Sequence, residues 1–130
     1  MSPVVRYSES EHRETIDAWC RGWEMQPFPP HWLPEVGFIV PGVAALWVYR
    51  TDSAVLFVEN VISSPDAEEA EKMAALDALC REVDAFAAAR GGAYLVGQSS
   101  LPSIVELGRR HGWRLAGPPL RQIVKAVEAA

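Results

Sequence analysis

Glu59 is the lone carboxylate in an otherwise apolar run, Ala54 to Ile62. A carboxylate set beside Phe57 and Val58 loses hydration, which disfavours its charged form and raises its pKa. That shift suits a general base working near neutral pH. Strand alternation puts Val55, Phe57 and Glu59 on one face and Leu56, Val58 and Asn60 on the other. Two roles are open for Glu59: acting as a general base, or sitting at a strand end, facing solvent or paired with an arginine.

The same stretch runs on as ENVISSPDAEEAEK, residues 59–72, from apolar strand into helix. Free N–H groups at a helix start favour an anion. This junction, however, has no glycine between Val61 and Lys72, and it carries Asp66, Glu68, Glu69 and Glu71. Glycine lets a backbone approach phosphate closely. Each unscreened like-charge contact with a phosphate costs on the order of 1 kcal/mol or more at an effective dielectric near 20. Asp66 as N-cap and Glu69 as its N3 partner would instead satisfy the helix's own donors. Capping and anion binding are thus alternatives here. Ser99 and Ser100 precede another helical stretch, where a hydroxyl is either a proton donor or a cap. His12, His31 and His111 are scattered, and Cys20 and Cys80 form no CxxC pair, so no metal constellation is indicated. No serine sits in a nucleophile elbow, which argues against hydrolase triads.

The elements that must position these groups follow from periodicity and turn residues. A short strand is expected at 4–7. Ser8 and Glu11 have capping-box spacing, and Ile16, Trp19, Cys20 and Trp23 continue a helix over about 9–22. QPFPPHWLP holds four prolines and forces an extended crossing. Strands are expected at 36–40, 43–49 and 54–62, with Pro41-Gly42 as the first turn. Met73, Leu76, Cys80, Val83 and Ala87 mark a helix over about 66–90, ended by Gly91-Gly92. A strand at 93–97 and a helix at 101–110 follow. WRLA (113–116) and LRQIVKAV (120–127) are expected as closing strands. The strand–helix–strand passage from 54 to 97 allows a parallel pair. The fold class is therefore α/β: one domain over 1–130, a mixed antiparallel and parallel sheet with helices on both faces.

With 130 residues, 49% of them hydrophobic, the chain can bury a core. A net charge of −5 argues against binding nucleic acid through phosphate neutralisation, though Arg109, Arg110 and Arg114 could form a local basic patch. No apolar run approaches the length of a membrane span. MSPVVRYSES has no secretory character, so the cytoplasm is the expected location. Trp19, Trp23, Phe28, Trp32 and Trp47 either complete the core or line an apolar pocket or interface.

The element order, together with ENVISSPDAEEAEKMAALDALC and GGAYLVGQSSLPSIVELGRRHGWRL, resembles the GCN5-related N-acetyltransferase superfamily. More closely, it is similar to compact acetyltransferase-like proteins of bacteriophages. The most specific local feature is RRHGWRL after the short helix, similar to the superfamily's ending of that helix. The resemblance implies an acyl-CoA N-acyltransferase-like fold and transfer of acetyl from acetyl-coenzyme A to an amine on a small molecule or protein. It implies cofactor contacts at Asn60, Val61, Ile62, Ser63, Ser64, Asp66 and Ala67, with Glu59 and Ser99 as catalytic candidates. The superfamily's loop glycines are missing, and its tyrosine acid falls on Gly108. A non-catalytic module on the same fold, binding a protein partner or a second copy, is the alternative. A phage origin would place it in the host cytoplasm or the virion.

Overall fold

The computed structural model describes residues 3–118 and 121–130. Five strands and three helices follow in the order β1 (Val5–Arg6), α1 (Glu9–Gly22), β2 (Gly37–Val40), β3 (Ala44–Arg50), β4 (Val55–Ser63), α2 (Glu69–Ala89), β5 (Tyr94–Val96) and α3 (Pro102–Arg110). The strands form one sheet in chain order. Pairings from β1 through β4 are antiparallel, and β4 with β5 is parallel. The mixed sheet expected from sequence is thus formed.

The sheet is covered on both sides. Ile16, Trp19 and Cys20 of α1 pack with Ile39, Ala45, Trp47 and Ile62 on one face. Leu76, Leu79 and Val83 of α2 pack with Phe38, Leu46, Val48, Leu56 and Val58 on the other. Such burial of aliphatic and aromatic surface is the main stabilising contribution. Gly37 is required by close packing: a Cβ there would lie 2.5 Å from Cδ1 of the fully buried Trp47. Arg13 holds the proline-rich crossing against α1 by donating from Nη2 to the Phe28 carbonyl, while its Nε bonds Asp17 at 2.9 Å.

Three local expectations are corrected. Glu11 does not close a capping box on Ser8; the Ser8 N–H donates instead to His12 Nδ1 at 2.9 Å, and this draws His12 partly inward. Helix α2 starts at Glu69 with Glu68 at the N-cap and no side-chain cap, so Asp66 does not cap it. Pro65 and Asp66 belong to a preceding turn, in which the Asp66 N–H donates to Ser64 Oγ at 3.2 Å. The closing strands at 113–116 and 120–127 do not form among the described residues; Leu120 lies outside them. The apolar pattern there suits a strand locally, but a strand needs a ladder partner. The available edge, β5, pairs through only Tyr94, Leu95 and Val96. Trp113 turns inward onto Gly97 and Gly108, leading the chain off the sheet, and Ile123 and Val127 are left 92% and 82% exposed.

Candidate functional site

The site is built where β4 and β5 part. Val55, Leu56 and Phe57 pair with Tyr94, Leu95 and Val96, after which β4 continues alone to Ser63. At the parting point the backbones still approach closely, since a Cβ at Gly97 would lie 3.0 Å from the Val58 carbonyl oxygen. A side chain there would wedge the strands.

On its other side β4 carries a bulge. Ala45 pairs with Ile62 and Trp47 with Glu59, so Asn60 and Val61 together oppose Leu46. The extra residue is absorbed by Asn60, whose φ is 61°. Asparagine tolerates this left-handed conformation better than most residues. The bulge reverses the alternation beyond it. Ile62 therefore joins the α1-side core. Asn60, expected beside Leu56 and Val58, instead donates from Nδ2 to the Tyr49 hydroxyl at 2.7 Å, on the Glu59 side. Val61 turns to the α2 side.

Two cavities flank the parting strands. The first, about 680 Å³ and wide open, lies on the α1 side against Glu59, Asn60, Phe57, Tyr49, Trp32 and His31. Burial raises the pKa of Glu59, and among the described residues it makes no ion pair. The Tyr49 hydroxyl, which accepts from Asn60, donates to the Trp32 carbonyl at 3.0 Å and fixes that wall. Residues 121–123 border the same opening. The second cavity, about 150 Å³, lies between β4, α2 and α3. Val58, Val61, Leu76 and Cys80 give it an apolar wall, and Ser99 lies at its edge. Gln98 lines both cavities.

The sequence-derived candidates divide between these features. Glu59 and Asn60 face the α1-side cavity, whereas Val61 and Ser99 face the other. Ser99 Oγ accepts the Leu101 N–H at 3.1 Å, which leaves its own proton available. Ile62 is core. The Ser63 carbonyl accepts from Trp23 Nε1 at 2.7 Å, and Lys72 Nζ lies 5.1 Å from the centre of the Trp23 ring. Ser64 is buried, its N–H bonded to the Val43 carbonyl at 2.8 Å, and the Ala67 N–H closes the turn on the Ser64 carbonyl at 3.3 Å. The turn at 63–67 is thus closed by its own hydrogen bonds. The uncapped N–H groups of Glu69, Ala70 and Glu71 remain as the donors at the helix start.

Sequence reading did not single out Gln98, Tyr49 or Cys80 as lining residues. No local pattern marks them; only the placement of β3, β5 and α2 beside β4 brings them in. The tryptophans divide: Trp19 and Trp47 are core, whereas Trp23 and Trp32 are partly exposed. Gly108 packs against Trp113, whose Cβ would be 3.3 Å from any Cβ placed there, so a side chain at that position would have to displace Trp113 slightly. Among the described residues no group of three or more His, Cys, Asp or Glu could hold a metal, and no helix is long and apolar enough to cross a membrane.

No protein-family model and no curated protein sequence matches the chain. Solved structures do. An acetyltransferase of Trypanosoma brucei superposes with a TM-score of 0.63 at 13% identity, covering 93% of this chain and 98% of its own. A chain assigned as an acetyltransferase gives 0.61 at 9% identity over 98% and 100%. An acetyl transferase assignment from Pyrococcus furiosus gives 0.61 at 13% over 93% and 99%. At these identities the likeness establishes a shared α/β fold with those structures, and the fold alone.

Proposed function

We propose that the chain transfers an acetyl group from acetyl-coenzyme A to an amine. The observation that carries this reading is the pair of cavities on opposite faces of the parted β4 and β5, both lined by Gln98, with a half-buried carboxylate on one side only. The apolar, acid-free groove between β4, α2 and α3 fits a pantetheine arm, and the unpaired side of β4 from Val58 onward offers it backbone groups. The uncapped donors at the start of α2 suit an anion, against the charge of the acidic side chains around them.

When bound, acetyl-coenzyme A supplies an activated acyl carbon, so that a C–N bond forms as the C–S bond breaks. Glu59 takes the proton released from the attacking nitrogen, directly or through water. Its raised pKa makes it a stronger base than an exposed glutamate. Asn60, Tyr49 and Trp32 hold the acceptor wall rigid, which favours reaction by positioning. Ser99, on the groove side, can donate a hydrogen bond to the departing thiolate, which takes its proton from solvent.

The test is calorimetry with acetyl-coenzyme A followed by turnover against a panel of amines. Glu59→Gln should lower turnover about 10²-fold and leave cofactor affinity nearly unchanged. Absence of binding at millimolar acetyl-coenzyme A would reject the reading.

A second reading is favoured by Gly108, which carries no proton donor where the superfamily has its tyrosine and is packed tightly against Trp113. In it the domain binds a protein partner through the exposed faces of Trp23 and Trp32, as a phage or virion-associated module in its narrowest form. Partner binding by the wild type, abolished by Trp23→Ala, with no thioester binding, would select it.

A further inference from the structure

We propose that Arg109 and Arg114 bind the phosphate-bearing end of acyl-coenzyme A, so that the counter-charge comes from the end of α3 and not from the β4–α2 turn. The proposal rests on reading the groove as the thioester site. It arises from an imbalance of charge around that groove. The charged residues lining it are Arg109 and Arg114, and no acidic side chain does so. This is notable in a chain with 17 acidic and 12 basic residues.

The two arginines are also unspent. Their neighbour Arg110 lies 3.5 Å from Asp77, and His111 Nε2 lies 2.9 Å from the same carboxylate. Those contacts anchor the end of α3 to α2. Among the described residues Arg109 and Arg114 make no ion pair, and both are exposed at the mouth. The start of α2 is the reverse case. Asp66, Glu68, Glu69 and Glu71 are exposed there, none of them lines the groove, and the cation there, Lys72, is stacked on Trp23. A diphosphate offered to that helix start alone meets orphan N–H groups but also four carboxylates. The guanidinium groups on the groove itself offer the uncompensated positive charge, since they are permanently charged and bind phosphate oxygens in bidentate fashion. The groove's apolar wall then takes the uncharged pantetheine arm.

This arrangement makes the nucleotide phosphates, and not the thioester arm, the feature that the arginines select. Isothermal titration would compare acetyl-coenzyme A with S-acetylpantetheine, which lacks those phosphates, on wild type, Arg109→Ala, Arg114→Ala, the double alanine variant and the double lysine variant. Circular dichroism would confirm that each variant is folded. Each single alanine variant should lose about 10-fold in acetyl-coenzyme A affinity, corresponding to about 1.4 kcal/mol. The double variant should lose about 10²-fold and show a weaker salt dependence. S-Acetylpantetheine affinity should stay as in wild type, and the lysine variant should recover part of the loss. Unchanged acetyl-coenzyme A binding in a folded double variant would overturn the proposal while leaving the groove reading intact. Equal loss of both thioesters would also overturn it, by making the arginines structural. Wild type binding neither thioester would overturn the groove reading and this proposal together.

Discussion

The left-handed backbone at Asn60 can be tested by inverting the usual ranking of glycine and alanine. In an ordinary strand glycine is less stable than alanine by roughly 0.5–1 kcal/mol, because it loses more conformational freedom on folding. Asn60 has φ 61° and sits in the β4 bulge. Alanine there should pay about 1 kcal/mol for the conformation. It also loses the 2.7 Å hydrogen bond to Tyr49, worth about 1 kcal/mol net. Asn60→Ala should therefore cost about 2 kcal/mol. Asn60→Gly loses the same hydrogen bond but escapes the backbone penalty, so it should cost only about 1 kcal/mol. Val55, in the regular part of β4, is the control, and its glycine variant should be less stable than its alanine variant. Urea unfolding with a common slope would separate the Asn60 pair by about 0.5–1 M. If Asn60→Gly proves no more stable than Asn60→Ala, the bulge is absent. Ile62 would then face α2, and Glu59 and Asn60 would not share a cavity wall.

Other expectations concern the site and the core. Burial raises the pKa of Glu59, so the folded state holds its proton to higher pH than the unfolded chain, and stability is lost as pH rises through the folded pKa. Glu59→Gln should therefore be more stable than wild type at pH 7, with the difference vanishing below about pH 4, as read from urea midpoints across pH. Greater stability together with lower turnover would mark a group kept for chemistry. Burial, with a smaller contribution from Asp77 and Asp84, pushes the Cys80 thiol up to about 11. At neutral pH its thiolate fraction is then on the order of 10⁻⁴, so iodoacetamide should label it slowly, at a rate rising with pH, and bound acetyl-coenzyme A should protect it. Fast labelling at neutral pH, followed by mass spectrometry, would contradict the burial. Gly37→Ala should destabilise by about 1–3 kcal/mol, because its Cβ meets the immobile Trp47 ring; an unchanged melting temperature would show that the ring can move.

Most of the scaffold was legible in the sequence because its signals are local. The spacing of Ile16, Trp19 and Cys20, and that of Leu76, Leu79 and Val83, writes a buried helical face directly into the chain. Pro41-Gly42 and Gly91-Gly92 punctuate those elements, and Gly42, Gly91 and Gly92 all adopt positive φ. Glu59 stood out for the same reason, as a carboxylate amid apolar neighbours. What tertiary structure alone decided was where local patterns meet competing partners. Simple alternation failed at Asn60, because a bulge depends on register with β3, and an asparagine in β4 permits one without requiring it. Asp66 reads as a cap, yet the turn at 63–67 closes on Val43 and Ser64 and delays the helix to Glu69. LRQIVKAV reads as a strand, but a strand is completed by an edge of another segment, and Trp113 carries the chain away from the short one available. Arg109 and Arg114 were visible as a basic cluster; that they face an acid-free groove, while Arg110 turns to Asp77, follows only from how α3 packs on α2. Helical periods and turns arise between neighbours a few residues apart, whereas strand register, edge pairing and cavity lining are set by contacts between segments that the sequence lists far apart.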